Sequence, residues 1–149
     1  MTDGERLTAE QAEALRAELG ELEGPRRTEI VAAIKKAREF GDLSENFEYH
    51  AAKNEQGLLE ARIRTLRSRL DHAEIVERGG SDAVGIGSVV EVETDAGQQL
   101  TVEVSALGGA GTVSPTSPLG AALLGRAVGD VVAVEAPRGS WSATVRAIR

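Results

Sequence analysis

Apolar side chains recur through the first half of the chain at alternating steps of four and three. Leu15, Leu19 and Leu22 form one series, Ile30, Ile34 and Ala37 a second, and Leu59, Ile63, Leu66, Leu70 and Ala73 a third. That spacing sets each series on one face of an α-helix. Gly24-Pro25 separates the first two and predicts a loosened or kinked helix, not a stop. Thr8-Ala9-Glu10-Gln11 has the spacing of a capping box, in which the Thr hydroxyl and the Gln amide serve backbone N–H groups left without helical partners, so the first helix is predicted to begin there. Gly41 suits a helix stop, and Asp42 or Ser44 the start of the next helix.

If the two arms fold back on each other, residues facing across the seam have position numbers with a nearly constant sum. Leu15 with Ala73, Leu19 with Leu70, Leu22 with Leu66 and Ile30 with Leu59 all give 88 or 89. The turn is then centred near Ser44-Glu45, at the end of a rod of about 45 Å at the helical rise.

From Glu77 onward the pattern changes period. Arg78-Gly79-Gly80-Ser81-Asp82 reads as a linker by content, and Gly87 to Thr94 alternates as a strand does. Asp95-Ala96-Gly97 is a hairpin signal, and Gln99 to Val104 answers as the partner strand. Pro118 to Gly125 predicts a short helix, and Asp130–Glu135 and Trp141–Ile148 two further strands. The expected fold class is α+β: an antiparallel helical coiled-coil hairpin over residues 1–77 with its tip at 41–46, a linker at 78–83, and a small sheet domain with one short helix at 84–149.

Composition narrows the chemistry. The formal charge of −7 divides as −5 over residues 1–77 and −2 over residues 78–149. Neither half has the cationic excess with which a free-standing nucleic-acid binder neutralises phosphates. There are no cysteines, which excludes disulfides, thiolate metal sites and a cysteine nucleophile. The N-terminal residues show no apolar stretch after their charges, and no apolar run approaches the roughly 20 residues that span a bilayer, so the expectation is a cytoplasmic, soluble protein with no membrane partner. With four aromatic residues in the chain, any core is built from Leu, Ile, Val and Ala.

The tip, Gly41-Asp42-Leu43-Ser44-Glu45-Asn46, supports two readings. Asp42 followed three residues later by Glu45 has the form of a capping box at a helix start. Alternatively, two carboxylates on one side of a turn can ligate magnesium and orient or deprotonate a water. As an independent active site the pair fails: the end of a rod has no pocket, does not exclude water and offers too few ligands. It works only inside another protein's active centre.

The stretch Ala37-Arg-Glu-Phe-Gly-Asp-Leu-Ser-Glu-Asn-Phe-Glu-Tyr-His-Ala-Ala-Lys-Asn-Glu-Gln-Gly57 resembles the signature of the bacterial Gre transcript-cleavage factors. The resemblance extends back through Arg26 to Ile34 and forward through Glu60 to Ile63, and returns at Ser117-Pro-Leu-Gly-Ala-Ala-Leu-Leu-Gly125 and Gly129-Asp-Val-Val. It implies an FKBP-like sheet domain and a monomeric accessory factor, not an enzyme, whose coiled coil enters the secondary channel of bacterial RNA polymerase. There the polymerase's own magnesium would hydrolyse backtracked RNA. Carried over by residue, Asp42 would help hold the second magnesium and Glu45 would position or activate the attacking water. Arg38 and Lys53, on opposite arms behind the tip, would contact the RNA 3′ end; a pair of solvated charges is the alternative. Ser44, Asn46 and Tyr49 would support the tip. Ser117, Pro118 and Leu119 would dock the sheet domain on the polymerase, or serve simply as a helix N-terminus with Ser117 as cap and Pro118 in the first turn.

The run Arg62, Arg64, Arg67 and Arg69 is spread around its helix and is expected to pair with Glu13, Glu18, Glu21 and Glu23 on the facing arm. His50 is expected to be structural, and Trp141 a core or edge residue of the sheet. Three departures from the family pattern stand out: Phe40 where His is common, Phe47 where a small residue is usual, and the short Gly-rich segment between Val104 and Val113. Some Gre-like paralogues occupy the same channel and inhibit transcription without cleavage. Retention of Asp42 and Glu45 favours cleavage.

Overall fold

The structure is a computed structural model that describes residues 4–41 and 46–149. Its contacts divide the chain into a helical unit, Glu13–His72, and a unit made of Ala73–Arg149 together with the N-terminal stretch ending at Ala12. This differs from the expected boundary at residue 77, and the cause is a strand pairing that carries no periodic signal. Strand β1 (Arg6–Leu7) lies parallel to β2 (Glu74–Ile75), with Arg6 opposite Glu74 and Leu7 opposite Ile75. Leu7 is fully buried.

The first helix begins with the capping box. The Thr8 backbone N–H donates to Gln11 Oε1 (3.1 Å) and the Gln11 N–H to Thr8 Oγ1 (3.2 Å). Gln11 Nε2 in turn donates to the Val104 carbonyl (3.2 Å), fastening this N-terminal stretch to the sheet unit. Helix α1 runs over Ala9–Glu21 and passes through a π-helical turn, Leu22–Arg26, into α2 (Arg27–Arg38). The π turn explains the seam. Continuing the four-three alternation from Leu22 would bring Arg26, Glu29, Ala33 and Lys36 onto the buried face. The apolar residues stand one position later, at Ile30, Ile34 and Ala37, and all three are buried. A π turn consumes one extra residue, here with the Arg27 N–H reaching back five positions to the Leu22 carbonyl. Pro25, which has no N–H to give, sits inside it.

Helix α3 (Phe47–His72) is continuous and returns along α2. Ile30, Ile34, Ala52, Leu59 and Ile63 form one buried cluster, with Leu19, Leu22 and Tyr49 packed against it. The outer end of the expected helix is corrected: α3 stops at His72, so Ala73 is not a residue of the helical arm. Ion pairs flank the cluster. Arg62 meets Glu18 (2.8 Å), Arg67 meets Glu23, and Arg27 meets Glu60 through two bonds of 2.7 and 3.1 Å. The first two are among the pairings expected of the arginine run.

In the second unit, β3 (Val89–Thr94), β4 (Gln99–Val104), β5 (Thr112–Val113), β6 (Val131–Ala136) and β7 (Gly139–Ile148) form a five-stranded sheet in the order β5-β4-β3-β7-β6. Helix α4 (Pro118–Leu123) packs against β6. The core is aliphatic, as the scarcity of aromatic residues requires: Val90, Val92, Val104, Leu123, Val132 and Val145 are all buried, with Trp141 and Leu119 partly buried beside them. Residues 78–83, expected to be a linker, are tied down at their start. The Gly79 N–H donates to the Ile86 carbonyl (2.8 Å), and a Cβ at Gly79 would lie 2.6 Å from Gly85 Cα. Only glycine permits that approach.

Candidate functional site

Helix α2 ends by tightening into a turn. The N–H groups of Glu39, Phe40 and Gly41 each reach back three residues, to the carbonyls of Lys36, Ala37 and Arg38. Gly41, three residues beyond the last helical residue, then adopts φ +98, a conformation that disfavours side chains and turns the chain away from the helical path.

Among the described residues the partner helix takes its cap from Asn46, while the expected caps Asp42 and Ser44 lie outside the described residues. Asn46 Oδ1 accepts the Tyr49 backbone N–H (3.0 Å), which is N-cap geometry, and its Nδ2 donates to the Ala37 carbonyl (2.6 Å) near the end of α2. One side chain thereby serves the end of one arm and the start of the other. Asp42, Leu43, Ser44 and Glu45 lie outside the described residues, so both candidate catalytic carboxylates and the supporting Ser44 do too.

Behind the tip, Arg38 is the last residue of α2, and its guanidinium stands 5.9 Å from the centroid of the Tyr49 ring. Tyr49 also meets His50 edge to face at 5.6 Å and packs on the hairpin core. Lys53 is exposed on α3 and donates from Nζ to Gln56 Oε1 (3.1 Å). The structure thus engages Arg38 with the facing arm and holds Lys53 by its own. Phe40 and Phe47, on either side of the tip, are 65% and 89% exposed.

Electrostatics along the arms follow from the ion pairs. Hydrogen bonding by Arg27 holds the Glu60 carboxyl below the usual glutamate range, and Arg62 does the same for Glu18.

In the sheet unit, Ser117 Oγ accepts the Gly120 N–H (3.1 Å) and donates to the Ser114 carbonyl (2.7 Å), with Pro118 opening the helix. Ser117 is therefore the cap of α4. Pro118 is exposed, and Leu119 is partly buried against the core.

Comparison with known proteins covers nearly the whole chain. The family model "Transcription elongation factor, N-terminal" matches residues 5–75, and "Transcription elongation factor, GreA/GreB, C-term" matches residues 79–149. Transcription elongation factor GreA of Streptococcus gordonii is 41% identical over 146 residues, covering 93% of this chain and 91% of its own. GreA of Thermosipho africanus is 40% identical over 148 residues, covering 96% and 95%. Among solved structures, that of the transcription factor Gfh1 superposes with a TM-score of 0.51 at 34% identity, covering 100% of this chain and 99% of that one.

Proposed function

The chain belongs to the GreA/GreB transcription elongation factor family, and from that premise we propose that it inserts its helical hairpin into the secondary channel of bacterial RNA polymerase and stimulates the polymerase's own cleavage of backtracked RNA. The observation that carries the proposal is the double role of Asn46. Asn46 caps α3 and also binds the end of α2, which ties the two arms together directly beside the Asp42–Glu45 motif and supports the reading in which those carboxylates serve chemistry in a partner's active centre.

Carboxylate oxygens are the donors magnesium prefers, and a magnesium shared with the polymerase would supply charge stabilisation for phosphodiester hydrolysis. Asp42 would contribute one donor to it. Glu45 orients the water and accepts its proton. Arg38 and Lys53 hold the displaced 3′ end by its phosphates. Asn46 and Tyr49 keep the two arms in register behind the tip, with Ser44 supporting it from within. The Ser117-Pro118-Leu119 segment docks the sheet domain on the polymerase. The protein acts in the cytoplasm as a monomer, with no cofactor of its own.

Incubation of a stalled, backtracked elongation complex with this protein and magnesium tests the proposal, read as RNA on a gel. Short 3′ fragments are the expected result. The two exposed Phe residues beside the tip favour a second reading, in which the hairpin occupies the channel and only inhibits. That reading predicts no fragments and a slowed nucleotide addition that excess nucleotide relieves.

A further inference from the structure

We propose that Phe40 and Phe47 form a base-stacking platform for the unpaired 3′-terminal nucleotides of the RNA, a proposal that rests on the channel reading above. The chain has four aromatic residues. Tyr49 and Trp141 pack against the two cores, whereas Phe40 and Phe47 stand 65% and 89% exposed on opposite sides of the tip. Phe47 is the first residue of α3, directly after the Asn46 cap, and its ring stands in solvent. A bare Phe ring in water has an unfavourable hydration that a partner relieves.

The surroundings select the partner. Glu39 beside Phe40 and Asn46 beside Phe47 are polar, so each ring has a polar neighbour in sequence, a setting that suits a flat ring face more than an apolar groove. Two separate ring faces suit two flat, uncharged bases. Charge agrees with this division of labour. Glu39 and Glu48 adjoin the rings and repel phosphate, while Lys35, Lys36 and Arg38 occupy the last turn of α2 behind them. Bases are therefore received at the tip and the phosphate backbone further back. Stacking tolerates any base, since each has a π face, as an extruded transcript end requires.

The test uses backtracked elongation complexes whose extruded 3′ nucleotide is either intact or abasic, with calcium replacing magnesium so that the RNA persists. Competition binding compares the full-length protein with Phe40→Ala, Phe47→Ala, the double variant and Phe47→Tyr. The full-length protein is expected to bind the intact complex about five- to tenfold more tightly than the abasic one. The double Ala variant loses that preference, each single variant loses part of it, and Phe47→Tyr keeps it. Equal binding of both RNAs by the unaltered protein overturns stacking and leaves the channel reading standing. An equal loss on intact and abasic complexes in the Ala variants also overturns it, assigning the rings to the channel wall. If the unaltered protein binds no elongation complex, the channel reading fails and stacking fails with it.

Discussion

At the scale of single residues, Asn46 and Gln11 each link two separate stretches of the chain through their side chains. Asn46 joins the facing ends of the two arms through a 3.0 Å cap and a 2.6 Å bond to Ala37. Asn46→Ala removes both, and chemical denaturation should show a loss of about 1–2 kcal/mol, as for other N-cap deletions. Asn46→Asp retains the accepting oxygen and loses only the donation to Ala37, so its stability should fall between the two. Gln11 completes a capping box and donates to Val104 from a buried position. Gln11→Ala should cost about 1–3 kcal/mol through the unsatisfied groups it leaves, whereas an exposed neighbour such as Glu10→Ala should change little. The Asn46 cap was hard to read from sequence because Asp42, Ser44 and Asn46 are all good cap residues within five positions. The hydrogen bonds to Tyr49 and Ala37 identify Asn46 as a cap.

At the scale of elements, the π turn Leu22–Arg26 explains why two well-formed apolar series sit one residue out of step. Deleting Pro25 removes the extra residue together with the helix-breaking ring, and restores an uninterrupted four-three pattern from Leu15 to Ala37. The hairpin should then unfold cooperatively at an equal or higher temperature. Deleting Ala33 instead lies within regular helix and rotates the residues before it by about 100° relative to those after it. That variant should lose the cooperative transition in circular dichroism. The ion pairs make a smaller, pH-dependent contribution. Glu60 and Glu18 have carboxyls depressed below their ordinary value of 4.5 by Arg27 and Arg62. A depressed carboxylate stabilises the fold above its unfolded value and stops doing so as pH falls through its folded value. Stability should therefore decline on the acid side below about 4.5, and the Glu18→Gln, Glu60→Gln double variant should show a flatter decline over that window. The change is modest because water screens both pairs.

At the scale of the whole molecule, the legible features were those with a period. The helical arms, their antiparallel pairing and the main strands of the sheet all follow from steps of four and three or from alternation, and the structure shows them near the positions the pattern gives. Illegible features were short or non-local. The β1–β2 pairing spans two residues on each side, too few for any periodicity, yet it brings the N-terminal stretch into the sheet unit and moves the boundary from residue 77 to Ala73. Gly79 looked like linker because glycine is common in linkers, while here it permits a close backbone approach. The tip was legible as a motif, but its chemistry was not, since two carboxylates without a pocket take their meaning from the partner. The most direct measurement is cleavage of backtracked RNA by polymerase with an Asp42→Asn, Glu45→Gln variant, scored beside its binding to the same complex. The account predicts that hydrolysis falls to the level of polymerase alone while binding is unchanged. Hydrolysis at the unaltered rate would contradict it and return the two carboxylates to a structural role.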